Sequence, residues 1–130
     1  MEAYLHQAAP ALDKIHSSWI SDSIVAMQRP SEAMFVEAKL LDQFKSHRIT
    51  AVFNLTEPGE HPFCGTGNQL YSGFPYNPEN LMRVGIKHFN YCWQDMTAPP
   101  MGLMMDIVQV AQNEIYHDGR IAVHCHAGLV

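Results

Sequence analysis

One short stretch of the chain, ITAVFNL at residues 49 to 55, is nearly all apolar and rich in β-branched side chains. This composition is typical of a β-strand that is covered on both faces, because a half-exposed strand alternates apolar and polar residues. Both faces are usually covered when helices pack on the two sides of a sheet. The stretch therefore predicts an α/β domain built around a buried strand.

An apolar stripe precedes this strand. Apolar side chains recur there at intervals of four with one neighbour beside them, which is the pattern of a helix face: Val36, Leu40, Phe44 and Leu41. We therefore expect a helix over residues 32 to 46, with Ser31 as its N-cap. Before this helix, residues 19 to 31 mix β-forming residues with a Pro-Ser stop, and they predict a strand or a short hairpin.

The second half of the chain continues the alternation of strands and helices. Residues 56 to 85 are rich in Gly, Pro and Asn and predict a long irregular connection. Residues 86 to 91 alternate like a strand, and residues 121 to 124 form a last apolar strand. The helix between these strands follows Pro99-Pro100, ends in a turn at Asp118-Gly119, and has one apolar face with Met104 pointing inward: Met104, Ile107, Val108, Ala111 and Ile115.

Composition and charge exclude several classes of protein. The chain has 130 residues, 47% of them apolar and 16% charged, which is the composition of one folded domain. Its net charge of −5, with Lys and Arg scattered singly, gives no basic stripe for nucleic acid or an anionic membrane. No apolar run approaches the roughly 18 to 20 residues of a membrane span. We therefore expect neither nucleic acid nor a membrane as a partner.

The amino terminus and the cysteines indicate a reducing compartment. Residues 1 to 14 have no clear periodicity and no basic segment before an apolar core, so they read as a mobile leader and not as a secretion signal. Cys64, Cys92 and Cys125 are an odd number at wide spacing, which does not form a disulfide framework. We expect a cytoplasmic protein, and a nuclear location fits the same features.

The strongest chemical signal is IAVHCHAGLV, at residues 121 to 130. A strand that ends in His-Cys and continues into small residues and Gly128 places a thiol at a turn where backbone N–H groups can face one point. Such a site binds a tetrahedral anion and lowers the pKa of a thiol, and the thiolate can attack phosphorus. Cys125 is therefore the candidate nucleophile. The leaving alkoxide needs a proton from a separate loop, and Asp95, which follows a predicted strand, meets that requirement.

Each of these residues also has a plainer interpretation. A cysteine after Ile-Ala-Val is commonly an inert core thiol, and a loop aspartate is commonly a turn residue or a helix cap. His124 either orients the loop and tunes the thiol or is simply a strand-end histidine with a satisfied hydrogen bond. His126 either contacts substrate or has no specific role.

The eight histidines and three cysteines also raise the alternative of a metal site. His61 and Cys64 would form one ligand pair, and His124, Cys125 and His126 would form the other. Consecutive strand residues point to opposite faces, so His124 and Cys125 do not easily hold one ion. No Cys-x-x-Cys accompanies them. We therefore predict no metal and no other cofactor.

Several motifs resemble the cysteine-dependent protein phosphatases. His124-Cys125-His126-Ala127-Gly128 is similar to the start of their H-C-x-x-G-x-x-R signature, and Trp93-Gln94-Asp95 is similar to their mobile acid loop. Residues 15 to 129 resemble the dual-specificity branch of the protein tyrosine phosphatase superfamily, through IHSSWISDSIVAMQRPS, NLTEPGEHPFCG, GFPYNPENLM, GIKHFNYCWQDM and VHCHAGL. The resemblance implies an α/β fold around a central, mostly parallel sheet with flanking helices.

The same resemblance implies roles for individual residues. Cys125 would be the nucleophile and Asp95 the general acid, with His124 and Trp93 in supporting roles. The residues that bind the phosphate would be His126, Ala127, Gly128 and Leu129. The implied reaction is hydrolysis of phosphotyrosine, phosphoserine or phosphothreonine in a protein substrate, without a metal, through a phosphocysteine intermediate. The resemblance alone also implies an association with cilia or centrosomes.

The sequence departs from the signature after Leu129. The family pattern calls there for Gly-Arg and a following helix, whereas this sequence has Val130. We therefore expect residues 15 to 130 to be an incomplete phosphatase domain, truncated inside the signature loop and without its C-terminal helices. The expected consequence is a chain without catalytic activity. The alternative is a non-catalytic phosphate-binding or unstable form.

Overall fold

The computed structural model describes residues 10–55, 76–91, 93 and 98–125. These residues form five strands and four helices in the order β1 (Ser17–Ser21), β2 (Ile24–Met27), α1 (Glu32–Glu37), α2 (Leu40–Ser46), β3 (Ala51–Asn54), α3 (Glu79–Arg83), β4 (Lys87–Asn90), α4 (Met101–Tyr116) and β5 (Ile121–His124). The strands form one sheet with the order β1-β2-β5-β3-β4. The β1–β2 hairpin is antiparallel, and the other neighbouring strands are parallel. The predicted α/β class with a mostly parallel sheet is confirmed.

Strand β3 is buried along its whole length, as its composition predicted. Each of its four residues is at most 1% exposed. Val52 belongs to the core under α1, α2 and α3, whereas Ala51 and Phe53 belong to the core under α4. Successive strand residues point to opposite faces of a sheet, so β3 lies between two helical layers.

The prediction of one continuous helix over residues 32 to 46 is wrong. Lys39, which separates α1 from α2, has a φ of 50° in the left-handed region, and this conformation interrupts a right-handed helix. The break turns α1 relative to the predicted stripe, so Val36 is 77% exposed while Leu40 is fully buried. Ser31 caps α1 as predicted, because its hydroxyl accepts a hydrogen bond from a backbone N–H of the first turn.

Helix α4 covers the second face of the sheet with a stripe that differs from the predicted one. Met104 and Val108 are 42% and 46% exposed, so the prediction that they face the core is wrong. The residues that pack against β3 and β5 are Ile107, Val110, Ala111 and Ile115. The helix ends in the predicted turn, where Asp118 has a φ of 63°. Of the helices in the described ranges, none has both the length and the apolar character that a membrane span requires.

One predicted connection also changes. The irregular connection predicted over residues 56 to 85 is wrong in its last part, because α3 lies within it, and residues 56–75 lie outside the described residues. Leu12 is fully buried, so the packed core includes a side chain from the predicted leader. Residues 1–9 of that leader lie outside the described residues.

An ion pair between an exposed lysine and a buried glutamate holds the amino ends of the parallel strands. Glu114 on α4 is 6% exposed, and its carboxylate accepts hydrogen bonds from Thr50 Oγ1 at 2.7 Å and from Lys87 Nζ at 3.0 Å. Thr50 and Lys87 lie at the starts of β3 and β4, so this contact ties the helix to both strands. The candidate site lies at the opposite end of the sheet, at the carboxyl ends of the parallel strands.

Candidate active site

Cys125 directly follows β5, which lies between β2 and β3 in the sheet. Met27 and Asn54, the last residues of these neighbouring strands, both pair with His124. Cys125 is half-buried at the edge where these three strands end. Ligands of open α/β sheets bind at this carboxyl edge of the strands. The thiol therefore occupies the strand-end position that the sequence predicted.

His124 points into the core and touches the backbone of Cys125. Its side chain is fully buried, and its Nδ1 lies 3.2 Å from the carbonyl oxygen of Cys125. A carbonyl oxygen only accepts hydrogen bonds, so Nδ1 carries the hydrogen of the ring. Burial lowers the pKa of His124 to about 3, with the charges of His88 and Arg29 acting in the same direction and the Cys125 carbonyl opposing them. The imidazole is therefore neutral at neutral pH, and its Nε2 is an acceptor.

Tyr76 connects His124 to a second histidine. The phenol is fully buried, and its Oη lies 2.6 Å from Nε2 of His124 and 2.7 Å from Nε2 of His88. The single phenolic hydrogen goes to His124, which has an acceptor nitrogen there, so His88 donates its own Nε2–H to the phenolic oxygen. Burial lowers the pKa of His88 to about 4 and raises the pKa of Tyr76 well above its usual value. All three groups are therefore neutral at neutral pH.

We refer to His88, Tyr76 and His124 as the His-Tyr-His relay. Its hydrogen bonds run in one direction, from His88 through Tyr76 and His124 to the carbonyl of Cys125. Tyr76 precedes α3, and its ring packs on Phe35 of α1 with 5.4 Å between ring centroids. The relay therefore links one helical layer, β4 and β5 to the candidate nucleophile.

Two further polar side chains lie near the carboxyl edge. Asn54 is fully buried, and its amide donates to Oδ1 of Asn90 at 3.2 Å across the β3–β4 ladder. Arg29 follows β2, is only 6% exposed, and contributes to the low pKa of His124 through its positive charge. This end of the sheet is thus polar beneath the surface, whereas the middle residues of β2, β3 and β5 are apolar.

The structure places only part of the site predicted from the sequence. It brings His124 and Cys125 together at the end of β5, and Trp93 is half-buried after β4. The predicted general acid and phosphate-binding residues lie outside the described residues: Asp95, His126, Ala127, Gly128 and Leu129. Their roles stay predictions. Among the described residues, no three His, Cys, Asp or Glu side chains are grouped to hold a metal ion.

The sequence reasoning did not identify Tyr76, His88 or Arg29. The alternation of residues 86 to 91 carries a weak signal, because it places His88 and Asn90 on one face of a strand that ends beside the site. Nothing in the local pattern indicates Tyr76, which precedes His124 by 48 residues. Its place in the site follows only from the fold.

The two buried histidines predict a loss of stability in mild acid. The unfolded chain binds protons at these histidines near their ordinary pKa of about 6.5, whereas the folded chain binds them only near pH 4 and pH 3. Between these limits the unfolded state takes up more protons, so stability falls as the pH falls, by about 1.4 kcal/mol per pH unit for each histidine. We expect the urea midpoint to decrease steadily from pH 7 to pH 5. A constant midpoint over this range contradicts the burial of neutral histidines.

Comparison with known proteins supports a phosphatase relationship in sequence. The chain is 40% identical over 119 residues to protein tyrosine phosphatase domain-containing protein 1 of Bos taurus, covering 92% of this chain and 15% of that protein. The Mus musculus protein of the same name is 39% identical over 119 residues, with 92% of this chain and 16% of that protein covered. The tyrosine-protein phosphatase CDC14 homolog of Schizosaccharomyces pombe is 26% identical over 124 residues, with coverages of 86% and 20%. The chain thus spans about a sixth of the length of the first two relatives. No family model matches the chain.

Solved structures support the same relationship in fold. Tk-PTP in its active form superposes with a TM-score of 0.65 at 19% identity, covering 87% of this chain and 63% of that one. The kinase associated phosphatase, with its catalytic site cysteine replaced by serine, gives a TM-score of 0.65 at 19% identity, with coverages of 95% and 68%. The resemblance inferred from the sequence motifs is confirmed. By sequence and by fold, the chain belongs to the protein tyrosine phosphatase family, as a domain of the dual-specificity type.

Proposed function

We propose that this domain hydrolyses phosphate monoesters on tyrosine, serine or threonine side chains of proteins, with Cys125 as the nucleophile. The observation that carries the proposal is the position of Cys125 at the end of the central strand, with its carbonyl held by the buried His124. The named activity of its relatives, tyrosine phosphatase, supports the same chemistry.

The reaction has two steps. The Cys125 thiolate attacks phosphorus, so a sulfur–phosphorus bond forms as the bond to the substrate oxygen breaks. Asp95 gives its proton to the departing alkoxide, and the backbone N–H groups of residues 126 to 129 bind the phosphoryl oxygens. Water then attacks the phosphocysteine and gives a proton to the Asp95 carboxylate, so the sulfur–phosphorus bond breaks, inorganic phosphate leaves, and the thiolate and the protonated Asp95 are restored. In both steps His124 stays neutral and positions the backbone of Cys125.

A chimera tests the proposed reaction. Residues 1–129 are joined to the part of the mouse relative's phosphatase domain that follows the aligned position, which completes the signature with residues from a related protein. The chimera is mixed with an aryl phosphate and quenched within a single turnover, and the phosphorylated residue is located by mass spectrometry. We expect phosphate on Cys125. Phosphate on another residue, or hydrolysis without any phosphoprotein, contradicts the proposal.

Substitution of Asp95 tests the proton donor. In the chimera, Asp95→Asn is expected to lower the turnover of phosphotyrosyl peptide by about 10²- to 10⁴-fold, the usual contribution of a positioned general acid. Substrates with very acidic leaving groups need no protonation, so their rates are expected to change little. An equal loss for good and poor leaving groups would show that Asp95 is not the proton donor.

A further inference from the structure

Burying the polar rings of the His-Tyr-His relay costs free energy unless each ring is hydrogen-bonded. Tyr76 and His124 are both fully buried, and they satisfy each other through the 2.6 Å contact. An apolar core could fill the same space without this requirement. The relay also ends on the backbone of the candidate nucleophile, at the carbonyl of Cys125.

The relay does not act on Cys125 through charge. The groups that face His124 are His88, Tyr76 and Arg29, and none of them favours an imidazolium. His88 is itself neutral at neutral pH, and the phenol of Tyr76 stays protonated. A neutral imidazole offers no unit charge to attract a thiolate. Any effect of His124 on Cys125 must therefore pass through the hydrogen bond from Nδ1 to the carbonyl.

That hydrogen bond depends on which ring nitrogen of His124 carries the hydrogen. With the hydrogen on Nδ1, the ring donates to the Cys125 carbonyl, whereas the other tautomer would place a lone pair against that oxygen at 3.2 Å. The phenolic O–H of Tyr76 selects the first tautomer, because it needs an acceptor at Nε2. His88 in turn donates to the phenolic oxygen, which leaves the phenolic hydrogen directed at His124.

We propose that Tyr76 and His88 are positioning residues for the nucleophile: they fix His124 as its Nδ1–H tautomer, and this tautomer holds the carbonyl of Cys125. The backbone that carries the thiol is thereby oriented by residues from two other segments of the chain. The proposal rests on the proposed function only in naming Cys125 the nucleophile. Its test uses thiol alkylation without any phosphate ester, so it can fail independently of the phosphatase reaction.

The experiment measures two properties of the 130-residue chain. A variant that only loosens the packing is not expected to change both of them together. The first is the pH profile of Cys125 alkylation by iodoacetamide, resolved from the other cysteines by mass spectrometry. The second is the tautomer of His124, read from long-range nitrogen–proton correlations in NMR spectra. The variants are Tyr76→Phe, which removes only the hydroxyl, and the pair His88→Leu and His88→Gln.

The expected results differ among these variants. In Tyr76→Phe, His124 should no longer be held in its Nδ1–H tautomer, so the other tautomer should become populated. Alkylation of Cys125 at pH values below the thiol pKa should slow by about tenfold, the factor that corresponds to one hydrogen bond. His88→Leu should change both readouts in the same direction by a smaller factor. His88→Gln should restore them, because a glutamine amide can donate to Tyr76 as the Nε2–H does.

Tyr91→Phe is the matched control. Tyr91 follows β4 and packs on Phe53 with 5.7 Å between ring centroids, outside the relay, so loss of its hydroxyl should change neither readout. An unchanged tautomer and alkylation profile in Tyr76→Phe would overturn the proposal. If that variant does not fold, the His88 pair decides, and equal behaviour of His88→Leu and His88→Gln overturns it.

Discussion

Replacing Cys125 by serine is expected to abolish turnover of phosphate esters in the chimera. A serine hydroxyl keeps its proton at neutral pH and is a far weaker nucleophile than a thiolate. Cys125 is half-buried and follows the end of β5, so the exchange of sulfur for oxygen should leave the sheet intact. Steady-state rates with an aryl phosphate and with a phosphotyrosyl peptide should both fall to the level of the buffer alone.

Cys64→Ser provides the control for this substitution. It makes the same chemical change at a cysteine to which no role in the reaction is assigned, and it should leave turnover unchanged. The Cys125→Ser chimera should still bind phosphopeptide, because the substitution leaves the proposed phosphate-binding residues 126 to 129 unchanged. Measurable turnover by Cys125→Ser would remove Cys125 from the role of nucleophile.

The second large effect concerns the 130-residue polypeptide itself. We expect it to form phosphocysteine about 10³- to 10⁵-fold more slowly than the chimera, which is the usual contribution of a charged arginine donor to phosphoryl transfer. The transferring group spreads negative charge over its three equatorial oxygens, and a planar guanidinium meets two of them at once.

The arginines that the structure describes near β2 and β5 are not suited to replace this donor. Arg120 precedes β5, at the opposite edge of the sheet from Cys125, and donates to the carbonyls of Asp22 and His47. It also stacks on Trp19, with 4.5 Å from the guanidinium carbon to the ring centroid. Arg29 lies near the site but is only 6% exposed. Single-turnover rates that are equal in the chimera and the 130-residue polypeptide would show that the signature arginine is dispensable.

The features that the sequence predicted well are those carried by a few neighbouring residues. The composition of ITAVFNL indicates burial on both faces, because a strand with one exposed face would alternate apolar and polar side chains. The turn at Asp118-Gly119 and the cap at Ser31 likewise depend on local backbone chemistry. The position of Cys125 directly after a strand was predicted by the same local logic, whereas its role as the nucleophile stays a prediction.

The features that the sequence did not predict depend on single conformations or distant contacts. The spacing of Val36, Leu40 and Phe44 fits one helix, and only the left-handed φ of Lys39 breaks it. The His-Tyr-His relay joins residues from three segments, and no periodicity relates their positions. The strand order is similarly unpredictable from spacing, since the last strand inserts between the second and the third.

This strand order determines when the fold can be completed during synthesis. Strands β2 and β3 are not neighbours, and the described sheet joins its β1–β2 and β3–β4 pairs only through β5. Ile24 pairs with Ile121, which lies 97 residues further along the chain, and such distant contacts are slow to form. A nascent chain therefore cannot close this sheet before β5 leaves the ribosome. The strand that leads into the proposed nucleophile, Cys125, is the one that joins the β1–β2 and β3–β4 pairs, so the sheet and the proposed reactive centre form in the same step.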